Sequence, residues 1–177
     1  MAGGLPDSEG LKKKIADRGC QEVITACPNC FTRLRRILDV PVVSLPEFLH
    51  REGLAQKIER SVHVFFPCGD GGRQIFEQLQ PYLSDWDAPF QRVGCCGLGG
   101  PPQARSAENL RAKQELMTQL GSQGVDVYCA SCGGQFYRFG LTKVRNLISD
   151  LVGVCEVPGA WLKGAWRFKI KKRERME

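Results

Sequence analysis

The sequence predicts an α/β protein, with a mostly parallel sheet and helices on both of its faces. Two observations predict it. Short β-branched runs alternate along the chain with segments of helical periodicity. Cysteines follow directly on several of those runs, at the strand ends where ligands gather in such sheets. At 177 residues the chain is long enough for one sizeable core.

Taken in order, "QEVITA" reads as a short strand running into Cys27-Pro-Asn-Cys30. "FTRLRRIL" reads as a helix with Phe31, Leu34 and Leu38 on one side. "VPVVSL" is a buried strand, and "PEFLHREGLAQKIE" a helix opened by proline. "SVHVFF" is a strand that ends at Pro67-Cys68, and "RQIFEQLQPYL" a helix disturbed by Pro81. After Cys95-Cys96 comes a helix with Ser106 as N-cap, Glu108 at its positive end, and Leu110, Met117 and Leu120 at helical spacing. Gly121 and Gly124 stop it. "VDVYCASC" then repeats the plan of "EVITACPNC", down to the following "FTR" and "FYR". "TKVRNLISDLVG" reads as a last helix before Pro158-Gly159.

Composition narrows the function. The net charge is +6, but the last seventeen residues hold +5 of it. A near-neutral body with a basic tail is not a nucleic-acid-binding domain. The tail, "WLKGAWRFKIKKRERME", suits docking on a partner subunit or peripheral association with an acidic membrane surface, or a simple solvated end. No apolar run is long enough to span a bilayer, and the first residues lack a signal core. The expected place is the cytoplasm, where cysteines are metal ligands or catalytic thiols more often than disulfides.

Nine cysteines dominate the reading: Cys20, Cys27, Cys30, Cys68, Cys95, Cys96, Cys129, Cys132 and Cys155. An odd number, with two Cys-x-x-Cys pairs, does not describe a disulfide scaffold. Adjacent Cys95 and Cys96 cannot both face one buried layer of a strand. Soft thiolates select zinc, copper(I) and iron–sulfur clusters. Four satisfy zinc or a cubane cluster, and a fifth is one too many for either. Cys27 and Cys30 alone are a redox pair, half a metal site, or a vestige. Cys20 and Cys155 fit no pattern and read as structural. His50 and His63 stand apart and read as structural histidines. "GCCGLGG" is not a dinucleotide fingerprint, and "CGDGGR" lacks the Lys-Ser/Thr of a phosphate loop.

The order Cys68, 26 residues, Cys95-Cys96 followed by Gly97, then Cys129-x-x-Cys132 resembles the CCG, or cysteine-rich domain, family. That family includes the cysteine-rich chain of heterodisulfide reductase and the iron–sulfur components of glycolate, lactate and glycerol-3-phosphate oxidising systems. Its pattern is usually present twice in one chain. Cys68, Cys95, Cys96, Gly97, Cys129 and Cys132 match one complete copy, while Cys27 and Cys30 match the tail of a preceding one. The resemblance divides the chain into a partial first repeat (1–60), a complete repeat (61–155) and the basic tail (156–177), and it leaves open that the chain begins partway into a longer protein. It implies a [4Fe-4S] cluster at Cys68, Cys95, Cys96, Cys129 and Cys132, either the noncubane kind with bridging thiolates, as in the heterodisulfide reductases, or the simpler cluster or zinc that other members keep in one copy, with Cys27 and Cys30 as candidate further ligands. The function it implies is that of an iron–sulfur subunit of a heterodisulfide reductase-like oxidoreductase. Such a chain works with partner redox chains and transfers electrons to, or reduces, a thiol–disulfide substrate. The rival reading is a non-catalytic zinc-binding structural or interaction module.

Overall fold

A computed structural model describes residues 8–98 and 106–154. The tail, Cys155 and the glycines at 99 and 100 lie outside the described residues.

The elements run α1 (Ser8–Asp17), β1 (Val23–Thr25), α2 (Pro28–Ile37), β2 (Val42–Ser44), α3 (Leu45–Arg51), β3 (Ile58–His63), α4 (Gln74–Leu79), β4 (Leu83–Asp87), α5 (Ala107–Leu120), β5 (Val125–Val127), α6 (Ala130–Arg138), β6 (Val144–Asn146) and α7 (Leu147–Leu151). The α/β class stands, and every strand pairing is parallel: β1 with β2, β3 with β4, β5 with β6. The single broad sheet is replaced by two-stranded pieces. Two of them are joined by one bridge between Val64 and Asp126, where the Phe65 amide donates to the Asp126 carbonyl at 2.9 Å. Strands of three residues are too short to build a wide ladder, so side-chain packing holds the pieces together.

The repeat glimpsed in the cysteine motifs extends much further. The pairs Val23↔Val42, Ile24↔Val43 and Thr25↔Ser44 recur as Val125↔Val144, Asp126↔Arg145 and Val127↔Asn146, a constant shift of 102 residues. Cys27 and Cys129 are the N-cap residues of α2 and α6 under the same shift, and both have extended backbone. Ser44 and Asn146 cap α3 and α7 in the same way, each side chain accepting an amide of its helix.

Several expectations on element type and extent are corrected. The last expected helix opens instead as β6, because Val144 and its neighbours complete a parallel pair with β5. The helix expected over "PEFLHREGLAQKIE" stops at Arg51, where Gly53 takes φ +66°, and the chain then enters β3 at Ile58. The strand expected over "SVHVFF" therefore lies earlier. Helix α1, helix α6 and strand β4 were not expected. Ser106 caps α5 as foreseen, accepting the Asn109 amide at 3.3 Å, and Met117 is the fully buried residue on its inner face.

Two apolar cores flank β3. Val62 and Val64 join Phe31, Phe76, Leu79, Leu147 and Leu151 in one. Phe65 points into the other, with Met117, Val125, Val127, Phe136 and three cysteines, Cys96, Cys129 and Cys132. Asp126 is the exception within this apolar interior. Its carboxylate is fully buried, lies 2.7 Å from Arg60 and 3.2 Å from Arg145, and accepts the His63 amide at 2.8 Å. It thereby ties β3, β5 and β6 together. The histidines are structural as read: His50 Nδ1 meets the Tyr82 hydroxyl at 2.5 Å, and His63 Nδ1 meets Asp87 at 2.7 Å.

Candidate metal centre

Three stretches of chain deliver five sulfurs to one region. Cys68 begins the turn after β3, Cys95 and Cys96 follow β4 and a short turn, and Cys129 and Cys132 bracket the start of α6. Each placement has a local cause. The turn Cys68–Asp70 is anchored by Asp70, whose buried carboxylate accepts the Ile75 and Phe76 amides at 3.2 and 3.1 Å and so caps α4. The same carboxylate accepts the Tyr128 hydroxyl at 2.9 Å. Residues two from Cys68 and one from Cys129 are thus bonded directly behind the site. Burial and the Asp70 charge push the Tyr128 phenol far up, so it stays a donor.

Gly97 explains the shape of the cysteine pair. Its φ of +89° lies in the region that favours glycine, and a Cβ there would meet Leu110 at 2.5 Å. The bend turns the Gly97 amide back onto Cys95 Sγ at 3.3 Å. It separates the two neighbours in fate: Cys96 is buried and Cys95 half-buried.

All eight described cysteines are free thiols. The sulfurs interact in groups. Cys132 hydrogen-bonds both Cys129 and Cys96, and these bonds, with burial, push its own thiol far up. Its two partners gain what it loses. The bond from Cys132 holds Cys129 down at about 6, with help from the Ser131 and Cys132 amides. Cys96 is lowered to about 7, again first by the Cys132 bond, against the penalty of burial. Cys68 is raised to about 11, by burial first and then by Cys95, with which it shares a hydrogen bond. Its charge interactions extend to Cys96 and Cys129, which links the two groups into one field. The metal-free site therefore holds a mixture of thiolates and thiols, ready to lose its remaining protons to a cation.

Cys27 and Cys30 form a third group close by. Burial raises the Cys30 thiol first, followed by its hydrogen bond to Cys27, and Cys129 contributes from across the site. The structure thus brings all seven motif cysteines into one neighbourhood. It leaves Cys20 exposed, which corrects its reading as a structural residue. Among the described residues no group of three or more His, Cys, Asp or Glu surrounds a single ion position. As a donor set the five are all sulfur, which fits a soft metal or an iron–sulfur cluster and no hard cation.

Sequence reasoning missed the two carboxylates that fix this geometry. Asp70 had a signal, an Asp in a glycine-rich turn just before a helical run. Asp126 had one too, a charge inside the apolar run "VDV". No helix among the described residues is long and apolar enough to cross a membrane.

Residues 82–137 match the CCG cysteine-rich domain family. The match holds Cys95, Cys96, Gly97, Cys129 and Cys132, and it leaves Cys68 outside. No curated protein and no solved structure matches the chain.

Proposed function

We propose that this cysteine-rich domain makes the chain the iron–sulfur subunit of a heterodisulfide reductase-like oxidoreductase, working with partner redox chains. The observation that supports it best is the convergence of Cys68, Cys95, Cys96, Cys129 and Cys132 from three stretches of chain, with Cys132 bonded to Cys96 and Cys129, Cys68 bonded to Cys95, and the charges of the two groups felt across the site. Five thiolates exceed the need of one zinc ion or one cubane cluster and suit a [4Fe-4S] cluster of the noncubane kind. When bound, such a cluster supplies one-electron transfer at a potential set by its surroundings.

The chain's own residues supply the rest. The buried trio Cys96, Cys129 and Cys132 lies in an apolar core that excludes water. Cys68 stands at the surface, where a thiol or disulfide substrate can approach. The Asp70–Tyr128 bond fixes the spacing between Cys68 and Cys129. Cys27 and Cys30 lie close enough to this group for Cys129 to act on the Cys30 thiol.

Anaerobic purification tests the reading. The protein is expected to be brown and to contain iron and acid-labile sulfide. A colourless protein with stoichiometric zinc and no sulfide would make it a zinc-binding structural module instead.

A further inference from the structure

Beside the sulfur centre lies a groove of about 690 Å³ with a pronounced charge. One wall is a face of α2. Asn29, Thr32, Arg33 and Arg36 follow one another there at the i, i+3, i+4, i+7 spacing that stacks side chains on one side of a helix. The other wall is the glycine-rich turn that begins at Cys68. The two walls are locked together. Thr32 Oγ1 donates to the Gly69 carbonyl at 2.7 Å, and Arg35 donates to Gln74 at 2.9 Å. Gly69 lies so close to α2 that a Cβ would come within 2.6 Å of Asn29 Oδ1 and 2.7 Å of its amide nitrogen.

The cations here are not used by the fold. Arg35 is engaged with Gln74 and lies over the Phe31 ring. Arg33 and Arg36 are exposed, and among the described residues neither is in an ion pair with a carboxylate. Among the described residues Asp70 is the one acid lining the groove, and its oxygens are taken by two amides and the Tyr128 hydroxyl. Arg33 also reaches the sulfur centre electrostatically, for its charge acts on the Cys30 thiol.

We propose that this groove binds a small organic acid bearing a thiol or disulfide, with its carboxylate or phosphate held by Arg33 and Arg36 and its sulfur directed to Cys68. Guanidinium forks match such anions in shape as well as charge. The sulfur end rests on the function proposed above; the acidic end rests on the groove alone.

Calorimetric titration of the full chain, prepared anaerobically, tests both ends with three probes of equal length. These are 3,3′-dithiodipropionate (a dianionic disulfide), cystamine (a dicationic disulfide) and suberate (a dianion without sulfur). Dithiodipropionate is expected to bind at least tenfold more tightly than cystamine. That preference is expected to fall at least tenfold in the double variant Arg33→Gln, Arg36→Gln, with metal content and thermal unfolding unchanged. Equal binding of the two disulfides, or a preference that survives the double substitution, overturns the groove's role. Suberate is expected to bind more weakly than dithiodipropionate. If it binds equally well, charge selection stands and the assignment of sulfur to Cys68 falls. Metal and sulfide analysis of the same samples reads the cluster separately from either result.

Discussion

Cys132 is the residue on which the acid–base state of the site turns. It keeps a proton and shares it by hydrogen bonds with Cys129 and Cys96, which are held at about 6 and about 7 in place of an ordinary 9.0. For Cys129 the folded value lies below the unfolded one. Its contribution to stability is therefore complete above pH 9 and is lost as pH falls through 6. Cys132, raised, stays protonated over this range and adds nothing there, so thiolate ultraviolet absorbance of the metal-free protein reads the two lowered thiols directly. Metal-free protein is expected to gain thiolate absorbance between about pH 6 and 7, below the range of an ordinary thiol. In Cys132→Ala, which removes the donor, that rise should move up toward the ordinary 9.0. A second test at this scale is Tyr128→Phe. It removes the hydroxyl bonded to Asp70 and leaves the ring packed, and should cost about 1–2 kcal/mol in denaturant unfolding, since a bond to a charged acceptor is lost. Reconstitution with metal should slow as well, because Cys68 and Cys129 are no longer tied together.

At the scale of elements, the close approach of the Cys68 turn to α2 is the sharpest constraint. A methyl group at Gly69 would meet the Asn29 backbone nitrogen at 2.7 Å, and a backbone atom cannot swing aside as a side chain can. Gly69→Ala is therefore expected to lower metal content several-fold while circular dichroism stays near wild type, because the turn moves and the helices remain. The cysteine-bearing turns were legible in the sequence, since chemistry restricts them to Cys and Gly at fixed spacing. So was α5, whose Ser106 cap and buried Met117 mark it. The strands were harder. β4 reads "LSDWD", with an exposed and polar middle, and its residues pair with β3 residues 24 or 25 positions earlier. β6 reads "VRN" and is too short to show any period. The shift of 102 residues held the missing information: had "EVITACPNC" been laid on "VDVYCASC" and extended, β2 would have pointed to β6, and α2 to α6.

Over the whole molecule, the two cores and the sulfur centre meet at Asp126. Its buried carboxylate holds Arg60 of β3 and Arg145 of β6, and Arg60 also pairs with Asp150 of α7. Asp126→Ala leaves Arg145 without its carboxylate and Arg60 with Asp150 alone, and frees the His63 amide. Both arginines keep some contact with water, so the loss should be at the lower end for a broken buried pair, about 3 kcal/mol. Thermal unfolding should fall accordingly, and metal loading with it, because β5 leads directly into Cys129. The charge inside "VDV" was visible in the sequence, but its partners were not, for they lie far away in the chain.

The central claim is that all five thiolates serve one cluster. Electron paramagnetic resonance and iron and sulfide analysis of anaerobically prepared Cys95→Ser and Cys96→Ser decide it most directly. Ser is close to Cys in size, and Cys95 and Cys96 differ in burial, so a packing effect would separate the two variants. Loss of a ligand would affect both. The account predicts about four iron and four sulfide per chain in the wild type, with lowered iron and an altered spectrum in each variant. Full metal content and an unchanged spectrum in either one would contradict it and leave a four-ligand site in its place.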